Sequence, residues 1–523
     1  MMTAKTIVFC LDASEPSLLD RWMESGDLPC LAALDAMGSS LPVTNLKGFG
    51  DGVFWPCAST GVNPAKHGRM YSTVFDPATY SRIPFRDDGL HAPQFWEVLD
   101  AAGLQTATID TVHGALRPLA HGVQICDWMT HERQEPLRSS PPELAAEMLQ
   151  RYGDDPLDGD SDAFIIATQD YPELVSRLQR RLVTKASAMV ELLDSRDWDV
   201  FTCSFAEPHD IGHLCWHLYE PEHPRYDAEL VRELGDPVRT IYMAVDRAMA
   251  EIAAAAGPDV NIVVLAGPGM ERLNTFNRSL DQVLWDLESL SSAPAGAGSV
   301  STRGAAKRRL VGLWRAIVPE TLRSRLKHIG IVGRHFQKAS RNMRQGRRYF
   351  AQAHNANAGA VRVNVRGREA HGLVDPGSDF LATVEGIADE FRGIHDHHGE
   401  PLVSDIAFPT LEYTGDQIDM LPDMLLIWNR HVDVSNLISP TLGPLSDQSI
   451  IPRTGDHTPH GRLWLAGGGV GLSVGEAGAV PMDLAPTLLD LLGMDIPSCD
   501  GRSLLTRKVA ASMAVVEVAD TQG

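Results

Sequence analysis

The segment Glu207-Pro-His-Asp-Ile-Gly-His-Leu-Cys-Trp-His217 carries three histidines, His209, His213 and His217, each four residues from the next. On a helix they fall within an arc of about 80°, because each step of four residues advances about 400°. Two imidazoles one turn apart can chelate a single metal ion. The third lies about 12 Å along the axis from the first and cannot share that ion. With 19 His in 523 residues the spacing also arises by chance, so its setting carries the argument. The apolar run Trp198 to Phe205 reads as a buried strand, and Pro208 suits the first turn of a helix that follows it. Cys203 and Cys215 flank the histidines among bulky apolar neighbours and read as core packing.

The other elements place further polar groups beside this one. Thr6 to Leu11 reads as a central parallel strand, and Asp12 ends it, where open α/β sheets gather their ligands. Asp51 opens a Gly- and Pro-rich stretch, to Gly61 and on through Asn63 to Gly68, that reads as a structured loop and a turn. His67 lies in that turn and reads as a structural hydrogen-bonder. Helical patterns over Ser17 to Glu24, Phe95 to Ala102, Leu174 to Leu193 and Tyr242 to Ala255 alternate with strand-like Gln105 to Ile109 and Asn261 to Ala266. This alternation argues for an α/β fold with a largely parallel central sheet covered on both faces. Ala360 to Val365, Met424 to Trp428 and Leu463 to Ala466 read as later strands, with His457 and His460 in a loop before the last. Asp483 to Leu492 reads as a terminal helix.

Composition narrows the function. A net charge of −22 excludes a general nucleic-acid binder. No apolar run is long enough to span a membrane, and the N-terminus lacks the features of a signal peptide, so a cytoplasmic location is expected. Seven cysteines without CxxC spacing fit a reducing compartment. Ser291 to Ser301 reads as a linker, and from Arg303 to Arg348 nearly all charge is positive. That gives a core of residues 1–290 and 356–508, a basic helical insertion over 291–355 and a tail over 509–523. The insertion reads either as a solvated helical segment or as a cap that holds an anionic substrate.

The order of these motifs resembles the alkaline phosphatase superfamily, in particular its type I phosphodiesterase/nucleotide pyrophosphatase branch. The resemblance is carried by Leu11-Asp12, Leu28 to Leu31, Trp55 to Gly61, Asn63 to Gly68, Glu207 to His213, Gly269-Met270, Arg362 to Glu369, Gly455 to His457 and Asp483 to Gly493. It implies an alkaline-phosphatase-like sheet whose strand ends hold two metals, usually zinc, beside a Thr or Ser nucleophile. It places one metal on His209, His213 and His457, with His209 standing where the family has Asp. At the second place Asp12 is kept, but Asp51 stands at the nucleophile position, and Gly267 and Pro268 replace an Asp and a His. The expectation is therefore one tightly bound zinc and at most a second, weakly held cation.

A three-His zinc site with an open position activates water for hydrolysis. Asp51 could instead act as nucleophile, general base or extra ligand, or simply cap local backbone. Asp210, His217 and His460 are candidates for orienting ligands or contacting substrate, and Glu207 and Asp210 are alternative ligands. The expected function is metal-dependent hydrolysis, or group transfer, of a small anionic phosphoester-like substrate. The alternative is a catalytically degenerate, metal-stabilised binding protein. Oligomeric state and substrate identity are not legible.

Overall fold

The computed structural model describes residues 4–131, 133, 135–291, 343–447, 451–467, 470–473 and 478–507. Most of the basic insertion and the 509–523 tail lie outside them. The main sheet contains β1 (Ala4–Asp12), β2 (Ser39–Thr44), β3 (Thr106–Ile109), β4 (Val123–Cys126), β5 (Arg138–Ser140), β6 (Trp198–Phe205), β7 (Asn261–Gly267) and β8 (His460–Ala466). Their spatial order is β2-β8-β7-β1-β6-β3-β4-β5. Five neighbours, β7-β1-β6-β3-β4, run parallel, and β5, β8 and β2 pair antiparallel at the edges. β1 is buried throughout Thr6–Asp12, as a central strand covered on both faces requires.

Four helices matter to the site: α1 (Asp51–Thr60), α2 (Tyr171–Leu193), α3 (Glu207–Tyr219) and α4 (Pro237–Ala256). α3 begins directly after β6, as the Trp198–Phe205 run and Pro208 predict. The Asp51 stretch is a helix and not the expected loop. Every residue of α1 is buried, so packing overrides the poor propensity of Gly52 and Pro56. A Cβ on Gly52 would meet the Met70 carbonyl oxygen at 2.9 Å, so the close packing there requires glycine. A further correction concerns the last histidines. His457 ends a short strand, Gly455–His457, paired with Met270–Arg272, and His460 opens β8.

A second lobe is built on a four-stranded antiparallel sheet, ordered Tyr349–Gln352, Ala358–Val363, Met424–Trp428, Val403–Ala407. Its own core includes Phe276, Leu284, Val361, Phe391 and Leu426. The described end of the basic segment belongs to this lobe. Arg347 is buried and bonds Asp281 and Glu288, while Arg348 pairs with Asp379. No helix among the described residues is long and apolar enough to cross a membrane.

Candidate metal centre

The parallel strands deliver polar side chains from their C-terminal ends to one place, as open α/β sheets do. β1 contributes Asp12, the segment after β2 contributes Asp51, and α3 after β6 contributes His209 and His213. The loop after β3 brings His113 and the loop after β4 brings His131; neither is marked by the sequence pattern. His457 enters from the short strand before β8. Non-glycine residues with left-handed φ cluster in these loops: Ala13 at 53°, Asp110 at 51°, His113 at 57° and Asp127 at 60°. Such conformations cost about 1 kcal/mol or more each and persist where surrounding structure imposes them.

Three histidines, His209, His213 and His457, bring ligand nitrogens within 4.8 Å of one another; Asp12, His131 and His209 do the same, as do Asp51, His113 and His131. Asp12 is fully buried, and its Oδ2 lies 3.1 Å from His131 Nδ1 and 3.0 Å from His209 Nδ1. The His131 and His209 rings stack with centroids 3.7 Å apart. Asp51 faces both groups of histidines. Its Oδ1 is 3.4 Å from His457 Nε2, and its Oδ2 is 2.8 Å from His113 Nε2 and 3.6 Å from His131 Nε2.

Hydrogen bonding separates the atoms that position from those left to bind. Trp55 Nε1 donates to Asp12 Oδ1. His213 Nδ1 lies 2.7 Å from the Gly455 carbonyl and donates to it, which turns its Nε2 lone pair toward the centre. Asn355, from the second lobe, donates to Asp51 Oδ1 at 2.8 Å. Arg69 Nη2 reaches His113 Nδ1 at 2.9 Å, so His113 receives on one nitrogen and donates through the other to Asp51. By contrast, Asp12 Oδ2, His213 Nε2 and both ring nitrogens of His131, His209 and His457 are buried and make no hydrogen bond among the described residues. Buried polar atoms left this way cost about 1–3 kcal/mol each, unless something else binds them. A divalent cation fits this donor set of nitrogen and carboxylate oxygen.

The electrostatics agree with a cation site. Burial pushes the Asp12 and Asp51 carboxyls up, but their histidine neighbours outweigh it and hold both well below the usual carboxylate range. For His131 burial opposes protonation, yet Asp12 and Asp51 raise its pKa well above that of a free imidazole. Burial drives His213 strongly down and, with Arg69 beside it, lowers His113. Both carboxylates are thus anionic at neutral pH, and the proton they attract sits on an imidazole that a metal would displace.

The remaining candidates lie elsewhere. Asp210 bonds Arg181 at 2.7 Å and Ser161 at 2.6 Å, and Glu207 takes a 3.3 Å bond from Lys185. Both acids are thereby committed to a buried network between α2 and α3. His217 bonds Thr454 and packs against Tyr171, and belongs to neither histidine group. His460 is exposed, and His67 is buried against Cys57 and the Arg69 amide. At the end of β7, a Cβ on Gly267 would meet Phe54 Cζ at 2.9 Å and Gly461 Cα at 3.0 Å. Phe54 therefore fills the place where a ligand side chain would start. On the opposite side a cavity of about 340 Å³ reaches His113 and His131, lined among others by Arg69, Phe85, Asp127 and Arg138.

The family model described as type I phosphodiesterase / nucleotide pyrophosphatase matches residues 6–393. No curated protein matches the chain in sequence. Among solved structures, phosphonoacetate hydrolase from Sinorhizobium meliloti 1021 in complex with phosphonoacetate is similar, with a TM-score of 0.53 and 13% identity over 94% of this chain and 96% of that one. The same hydrolase in complex with phosphonoformate gives 0.51 and 12% over 94% and 96%. An inactive form of murine ectonucleotide pyrophosphatase / phosphodiesterase 5 in complex with AMP gives 0.49 and 11% over 96% and 100%.

Proposed function

Since this chain belongs to the type I phosphodiesterase / nucleotide pyrophosphatase family of metal-dependent hydrolases, we propose that it hydrolyses a small anionic phosphoester-like substrate at the centre around His209, His213 and His457. The observation that carries this reading is the set of buried, unbonded imidazole nitrogens beside Asp12. His209, His213 and His457 would hold one divalent ion, with Asp12 adjoining it. A zinc ion there supplies Lewis-acid polarisation of the phosphoryl oxygens and activation of water.

The protein's own groups prepare the rest. The Gly455 carbonyl fixes the His213 tautomer, and Trp55 fixes the Asp12 rotamer. Asp51 is pinned from both sides by Asn355 and His113, so its carboxylate keeps one orientation beside the reacting phosphoryl group. The cavity beside His113 gives the substrate entry, and the Arg69 guanidinium on its wall offers positive charge to an anionic oxygen.

The test is hydrolysis of chromogenic phosphodiesters, phosphomonoesters and sulfate esters by protein stripped with a chelator and reloaded with Zn²⁺. We expect activity that depends on the metal and falls at least about a thousandfold in His213→Ala, since one of three nitrogen ligands is lost. A folded, metal-loaded protein inert toward every ester would overturn the reading in favour of a binding protein.

A further inference from the structure

Sequence alone leaves only Asp12 and Asp51 for a second cation, because Gly267 and Pro268 offer no donor. The fold changes that inventory. His131 arrives from the end of β4, on the far side of β1 from β7, and stands 5% exposed with neither ring nitrogen hydrogen-bonded among the described residues. Its Nδ1 lies 3.1 Å from Asp12 Oδ2, itself unbonded and 3.0 Å from His209 Nδ1. Separations near 3 Å are those between neighbouring donors in a shell with metal–ligand distances of about 2.0–2.2 Å.

The loop that carries His131 is held for this purpose. Asp110 accepts the Trp128 and Met129 amides at 2.9 and 2.8 Å, and Lys185 donates to the Met129 carbonyl at 3.0 Å. All of these groups are buried. At the same time Phe54 and Gly461 close the end of β7.

Asp51 stands between the two places. One of its oxygens faces His457 and the other faces His131. A carboxylate so placed, with Asn355 and His113 fixing its plane, suits a ligand that spans two cations better than a nucleophile, which needs one oxygen free for in-line attack.

We propose that this chain holds a second cation at a position built from Asp12 and His131 beside the His209, His213 and His457 group, with the Asp51 carboxylate spanning the two. The proposal rests on the metal-dependent reading above, but its test does not depend on turnover. Wild-type protein, stripped and reloaded with Zn²⁺ and then desalted, is expected to carry about two equivalents. His131→Ala is expected to carry about one. The same protein loaded with Mn²⁺ is expected to show an exchange-coupled electron paramagnetic resonance signal that weakens in Asp51→Asn, which keeps the side chain's shape. One equivalent in the wild type, two retained in His131→Ala, or two Mn²⁺ ions giving only an uncoupled six-line spectrum would overturn it. The spectrum of the wild type decides the matter even where His131→Ala fails to fold. Ester hydrolysis by a one-ion wild type would overturn this proposal and leave the hydrolase reading standing. Two coupled ions in an inert protein would do the reverse.

Discussion

Trp55 and Asp12 are joined by a 2.5 Å hydrogen bond from the indole Nε1 to Oδ1, and this bond decides which oxygen of Asp12 is free. Trp55 comes from the interior of α1 and Asp12 from the tip of β1, so the contact also docks that helix on the sheet. Oδ2, left without a hydrogen bond among the described residues, points at His131 and His209. Trp55→Phe keeps the packing but releases Oδ1. We expect it to weaken zinc binding about 10–100-fold with a small loss of stability. Competition titration against a chromophoric chelator measures this, and unchanged affinity would show that Asp12 does not ligate.

The buried network under α3 gives a second prediction. Lys185 is fully buried and donates to Glu207 and to the Met129 carbonyl. Lys185→Met leaves the Arg181 guanidinium, 4.0 Å away, as the cation facing Glu207 among the described residues. A cost of about 3 kcal/mol in denaturant unfolding is expected. The loosened Met129 loop should also release cation from the His131 place before that of His213. Equal loss of both ions would contradict this order.

Acid stability follows from His67. Burial pushes its pKa down to about 3, helped by Arg69, and its Nδ1 accepts the Arg69 amide at 3.1 Å. An unfolded histidine titrates near about 6.5. Between those values the unfolded chain binds a proton that the folded chain refuses. The stability His67 contributes is therefore present above about pH 6.5 and is lost as pH falls toward 3, by up to about 1.4 kcal/mol per unit. Urea unfolding of His67→Gln should show a shallower decline between about pH 6.5 and 4.5 than the wild type. Parallel curves would exclude His67 as a cause.

Arg347 offers a fourth. In sequence it belongs to a basic run that could cap the site; in the structure it is 2% exposed, bonding Asp281 and Glu288 and lying over the Trp285 ring. Arg347→Ala should cost about 2 kcal/mol in stability. It should leave both KM for an anionic ester and the salt dependence of KM unchanged. A several-fold rise in KM without destabilisation would return this arginine to the substrate.

The elements that read most clearly are those whose burial pattern is local. Trp198–Phe205 is legible because Val200–Phe205 is buried throughout and mostly apolar, and the His209/His213 pair is visible because one helix carries both. α1 reads as a loop because its ten consecutive buried residues include Gly52 and Pro56, and only packing against neighbours makes that segment helical. His113 and His131 escape notice for a different reason. They sit in loops after Ile109 and Cys126, with no helical spacing to mark them, and β4 is only 4 residues long. What would reveal them is a survey of polar residues shortly after each parallel strand, since the sheet gathers those ends at one edge.

The centre draws on residues from Asp12 to His457, and His457 is placed by a strand that pairs with Met270–Arg272. Such separations make assembly slow, because long loops must close before the contacts that repay them form. A chain leaving the ribosome carries Asp12, Asp51, His113, His131, His209 and His213 long before it carries His457. Closure of the group therefore waits on the segment that carries His457, and every earlier stage leaves His209 and His213 without their third partner.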